Sequence, residues 1–129
     1  MRKTQVILIL LLVGTAALLQ GCIAVAVGAG AAGTVAYIRG DLEAIESKSI
    51  DTVYEATLKA MEQLELSVST KTKDAMSAEV VARDSQDKKI TIKLTATAEG
   101  STKISIRIGV FGSETKSRLI YDQIKKNLK

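Results

Sequence analysis

From Met76 to Val110 the chain alternates apolar and polar residues with a period of two. Met76, Ala78, Val80 and Ala82 stand against Ser77, Glu79, Val81 and Arg83. Ile90, Ile92, Leu94 and Ala96 stand against Thr91, Lys93, Thr95 and Thr97, and Ile104, Ile106, Ile108 and Val110 against Ser105, Arg107 and Gly109. Three such runs, separated by turns at Asp84–Lys88 and Glu99–Thr102, predict an antiparallel sheet covered on one face only. Leu66 and Val68 start a strand before them that ends in a polar turn at Lys71–Asp74. Further upstream, Ile38, Leu42 and Ala44 oppose Arg39, Asp41 and Glu43 in a first strand.

Two stretches change period. Ile50, Val53, Thr57, Ala60, Met61 and Leu64 form one stripe at helical spacing, with Ser49 as N-cap and Asp51 in the first turn. Ile120, Ile124 and Leu128 repeat at i+4 within a second helix over 114–128, which Ser113 is placed to cap. The order is β-α-β-β-β-β-α. An apolar sheet face and two apolar helix stripes satisfy one another if both helices lie on the same side. The expected fold is therefore a two-layer α+β sandwich, with an antiparallel five-stranded sheet and two helices on one face. Helix-grip and TATA-binding-protein-like folds have this pattern, an analogy that carries no function.

The N-terminal run has another character. Arg2 and Lys3 precede fourteen mostly apolar residues, Val6 to Leu19, too short for the roughly 20 that a membrane span needs. Leu19, Gln20 and Gly21 then lead into Cys22, the only cysteine. A charged start, an apolar stretch, a branched aliphatic residue, a small residue and a cysteine form a bacterial lipoprotein signal, although Gln20 departs from the usual small residue. The expectation is cleavage before Cys22 and covalent lipid on its sulfur. The chain then divides into a signal peptide over 1–21, a lipidated Gly/Ala-rich tether over 22–36 and a globular domain over 37–129. An uncleaved anchor running from Val6 to Ile38 is the rival reading, weakened by the Ala- and Gly-rich second half.

Composition narrows the chemistry. Without Arg2 and Lys3 the chain keeps 16 Lys and Arg against 14 Asp and Glu, so its basicity belongs partly to the signal and nucleic acid is not an expected partner. Histidine is absent, which excludes imidazole metal sites and His-based catalysis. Gly28, Gly30 and Gly33 match a dinucleotide fingerprint, with Glu46 downstream, but no βαβ unit surrounds them. No cofactor is expected apart from the lipid.

Three features invite a functional reading. The sheet face opposite the helices carries Arg83, Lys89, Lys93, Lys103 and Arg107 among hydroxyl side chains, and so could hold an acidic or glycan partner; any solvated sheet face shows the same alternation. Phe111, the only phenylalanine, sits between Gly109 and Gly112. Gly109 inside a strand suggests a bulge or a close backbone approach, and Phe111 is expected to tuck under the last helix, with an exposed anchor as the other reading. Asp41, Glu43 and Glu46 lack the opposed carboxylate that glycoside hydrolysis requires, so an enzyme is not expected.

Residues 21–44 (GCIAVAVGAGAAGTVAYIRGDLEA), 49–64 (SIDTVYEATLKAMEQL) and 103–112 (KISIRIGVFG) together resemble an uncharacterised family of small Gram-negative lipoproteins, domain-of-unknown-function family 3568. Tyr37-Ile38-Arg39-Gly40 and Gly109-Val110-Phe111-Gly112 carry the resemblance most specifically. It implies an envelope lipoprotein without described catalytic residues. Ile23, not aspartate, follows Cys22, which by resemblance to enterobacterial sorting signals implies the outer membrane, facing the periplasm. The expected function is a membrane-anchored structural or adaptor protein with an envelope protein or glycan partner; a small-ligand or lipid-binding module is the alternative.

Overall fold

The computed structural model describes residues 2–7 and 35–128, which fall in two units divided between Ala31 and Ala32. In the first unit residues 2–7 are helical. The second unit is α+β. Its elements are β1 (Val35–Ile38), β2 (Asp41–Glu46), α1 (Ile50–Gln63), β3 (Ser67–Lys73), β4 (Ser77–Arg83), β5 (Lys89–Ala96), β6 (Thr102–Ile108) and α2 (Glu114–Lys126). The strands form one antiparallel sheet in the order β1-β2-β6-β5-β4-β3.

The sheet has six strands, not five. What reads as one strand from Ile38 to Ala44 is a hairpin, because Arg39 (φ 53°) and Gly40 (φ 90°) form a two-residue turn with both residues left-handed. The turn pairs Ile38 with Asp41 and Tyr37 with Leu42. Ile38 therefore shares the open face with Asp41, half-exposed, and does not join Leu42 and Ala44 in the core. β1 also takes in Val35 and Ala36.

The period-two strands bury the side expected of them. Ala78, Val80, Ala82, Ile90, Ile92, Leu94, Ile104, Ile106 and Ile108 meet Val53, Ala56, Ala60 and Met61 of α1 and Ile120, Tyr121 and Ile124 of α2 in a single core. Both helices lie on this face, α1 over β3, β4 and β5, and α2 over β2 and β6. α1 begins where Ser49 Oγ accepts the Thr52 N–H at 3.3 Å. It ends in a Schellman pattern, with Leu66 N–H donating to Met61 O at 2.9 Å and Glu65 N–H to Glu62 O at 3.0 Å. Glu65 takes the left-handed position (φ 54°) that glycine usually fills.

Two strand ends and one helix cap differ from expectation, and α2 ends at Lys126, before the expected 128. β3 continues to Lys73, and the turn falls at 74–76, where Asp74 Oδ1 accepts the N–H groups of Met76 and Ser77, both at 2.8 Å. That turn leaves Met76 exposed, outside the strand. Ser113 precedes α2 in extended conformation but caps it only through its carbonyl, which accepts the Ser117 N–H at 2.9 Å; its side chain makes no capping bond. β6 stops at Ile108, so Gly109 (φ 65°) is a turn residue and not a bulge, and Val110 lies outside the alternation, 78% exposed.

Candidate functional site

The sheet face away from the helices collects the charges that alternation places there. Register sets Asp41 opposite Arg107, Arg107 opposite Thr91, Lys93 opposite Ser105 and Glu79 opposite Lys93. The outcome is a set of ion pairs: Arg107 with Asp41 at 3.0 Å, Lys103 with Glu43 at 3.1 Å, Arg83 with Asp87 at 3.3 Å and Lys93 with Glu79 at 4.0 Å. All are substantially solvated, so each contributes about 0–1 kcal/mol. Their larger effect is to cancel much of the positive field expected here. Lys89 alone on this face has no carboxylate partner among the described residues. A shallow hollow of about 290 Å³ lies between Asp41, Glu79, Lys89, Lys93 and Arg107.

The expected site residues separate on this frame. Arg83, Lys93 and Arg107 share the open face, Arg83 at its end beside the β4–β5 turn. Asp41 and Glu43 also lie on it. Glu46 does not: it faces the helices and accepts a hydrogen bond from the Tyr121 hydroxyl. Burial, then that carboxylate, pushes the Tyr121 phenol above its ordinary value. The three acids are thus split between two faces. Glu46 has a structural partner, and the dinucleotide-like Gly28, Gly30 and Gly33 lie outside the described residues, as do Leu19, Gln20, Gly21 and Cys22.

Phe111 is not tucked under α2. It is 93% exposed. The cause is a backbone-to-backbone contact between the β1–β2 turn and the loop after β6. Gly112 (φ 80°) packs so closely on Gly40 that an added Cβ would lie 2.6 Å from the Gly40 Cα and 2.5 Å from the Tyr37 hydroxyl. A Cβ on Gly40 would in turn meet the Phe111 carbonyl oxygen at 2.8 Å. With its carbonyl turned toward Gly40, the Phe111 side chain points outward beside Val110.

Arg107 ties the two loops together. One guanidinium nitrogen donates to Arg39 O at 3.2 Å and to Asp41 Oδ1 at 3.0 Å; the other donates to Val110 O at 2.7 Å. This fork was legible in the sequence only as one more basic residue of a strand. Arg107→Met keeps the stem and removes all three bonds. It should cost about 1–2 kcal/mol, and a thermal melt followed by circular dichroism should fall by roughly 4–8 °C per kcal/mol. Arg107→Lys should restore little, because an ammonium cannot reproduce the planar fork. A Met variant that melts with the wild type would show that the loops hold without it.

A second recess lies between the helices and the sheet, at the same end of the strands. Leu64, Leu66, Ile90, Ile108, Leu119 and Ile120 line about 190 Å³ of it. Lys116 and Asp84 pair at 3.0 Å among the lining residues. The backbone N–H of Lys88, then Lys116, holds the Asp84 carboxyl below its ordinary value. The recess is smaller than the roughly 300–1,000 Å³ of small-molecule pockets. Among the described residues no three acids or thiols gather into a possible metal site, and no helix is long and apolar enough to cross a membrane.

The family model described as "Protein of unknown function (DUF3568)" matches residues 5–127, and the chain belongs to that family. A comparison with curated proteins finds no match.

Proposed function

We propose that this member of the family is a bacterial envelope lipoprotein, anchored through lipid on Cys22, that serves as a structural or adaptor protein at the outer membrane. The observation that carries the adaptor reading is the uncovered sheet face. One face of the six-stranded sheet is filled by α1 and α2, while the other presents ordered charges and hydroxyls with nothing of the described chain over it. Paired charges held in register set which partner fits and how fast it docks more than how tightly it binds. A protein or glycan partner of the envelope, bound with moderate affinity and sensitivity to salt, is the occupant this face suits. Its helix-grip-like layering belongs to the same reading.

The test is cross-linking in cells with the double reversal Lys93→Glu and Lys103→Glu, which spares Arg107, against Lys59→Glu on the exposed side of α1. The partner's cross-links should vanish with the double reversal and persist with the single one; the opposite pattern places the contact elsewhere. The apolar recess beside Leu119 supports a second reading, a lipid- or small-ligand-binding module. A small lipid retained stoichiometrically by the purified protein would favour it.

A further inference from the structure

At the end of the sheet where Arg107 joins the two loops, three apolar side chains face solvent: Ile38 (50% exposed), Val110 (78%) and Phe111 (93%). Soluble surfaces scatter single apolar residues, but the last residue of β1 and two residues of the loop after β6, which the Gly40–Gly112 contact brings together, form an apolar tip. The same end carries Arg39 in the β1–β2 turn, and Lys89, whose carbonyl accepts the Gly109 N–H at 2.8 Å, preceded by Lys88. None of these three cations pairs with a carboxylate among the described residues, whereas Arg83, Arg107 and Lys116 nearby are paired. An aromatic and two aliphatic side chains at the same end as three unpaired cations match a phospholipid surface, with apolar groups entering the acyl boundary and cations meeting anionic headgroups.

Chain length brings the tip to such a surface. Twelve residues, 23–34, lie between a lipidated Cys22 and the start of β1. Their contour cannot exceed about 45 Å whatever their conformation. β1 then runs only four residues, about 13 Å at strand rise, to the tip. A tether of that reach holds the tip at high effective concentration against the bilayer, so weak insertion suffices. We infer that the Ile38–Val110–Phe111 tip is a membrane-inserting contact, which seats the folded unit on the anionic bilayer carrying its own anchor. This rests on the lipidation reading, and its test separates the two.

The chain contains no tryptophan, so a single introduced one reports without background. Phe111→Trp and, at the opposite end of the sheet, Glu99→Trp would be made in the full lipidated protein and reconstituted into vesicles of phosphatidylethanolamine and phosphatidylglycerol containing acyl-brominated phosphatidylcholine. The indole of the Phe111→Trp variant should shift to the blue and lose much of its emission to bromine, while that of Glu99→Trp should do neither. Replacing phosphatidylglycerol by neutral lipid should weaken insertion roughly fivefold per unpaired cation in contact. Vesicle-bound protein whose two variants respond alike overturns the tip contact and leaves the anchor standing. Emission from Phe111→Trp that follows protein density but ignores bromine overturns it in favour of a second copy. Protein that carries no lipid on Cys22 when isolated from the cells that make it overturns the anchor reading; if the Phe111→Trp indole is still quenched when that protein is mixed with the vesicles, the tip stands by itself.

Discussion

Gly112→Ala is expected to lower unfolding stability by about 2–4 kcal/mol, a large loss for one added methyl group. Two costs add. Gly112 sits at φ 80°, where an L side chain is strained, and its Cβ would run into Gly40 backbone and the Tyr37 hydroxyl. Backbone cannot step aside as the end of a flexible side chain can. Gly40→Ala should behave similarly, since it meets the Phe111 carbonyl oxygen at 2.8 Å and has φ 90°. Gly100→Ala supplies the comparison: its φ is 71°, but nothing lies within 4 Å of the added atom. It carries the conformational cost alone, about 1 kcal/mol. Urea denaturation of the three variants separates the two costs. Equal midpoints for Gly112→Ala and Gly100→Ala would mean that the loops are not in close contact in solution.

Cys22→Ala should abolish incorporation of labelled palmitate and release the protein from the membrane fraction. One acyl chain holds marginally, at about 0.8 kcal/mol per buried CH₂, whereas two or more chains anchor stably. Loss of the sulfur removes the atom that carries them. The effect is all-or-none in labelling and large in fractionation. Wild-type protein that stays in the membrane unlabelled, with residues 1–21 still attached, would support the uncleaved anchor from Val6 to Ile38. Equal palmitate labelling of both forms would remove Cys22 from the account.

The parts of the fold legible in the sequence are those written in local periodicity. β4, β5 and β6 each show the alternation that fixes which side chains enter the core, and the α1 stripe of Val53, Thr57, Ala60 and Met61 is buried as spaced. The β1–β2 hairpin was hidden because Ile38, Leu42 and Ala44 continue an even spacing straight through Arg39-Gly40. A glycine after a residue able to take positive φ was the available turn signal. The site was less legible still. Whether Arg107 faces Asp41 or open water depends on β2 lying beside β6, a pairing between distant parts of the chain. The exposure of Phe111 depends on Gly112 meeting Gly40, again distant in sequence. Yet Tyr37–Gly40 and Gly109–Gly112, the two stretches that most marked the family resemblance, are the two that meet at the tip.

The reading as a lipid-anchored protein is tested most directly at the N-terminus of the protein isolated from membranes, by mass spectrometry of its first proteolytic peptide. The expected peptide begins at Cys22, carries a diacylglyceryl group on the sulfur and contains nothing of residues 1–21. A peptide that begins at Met1 or Arg2 with an unmodified Cys22 would contradict the account.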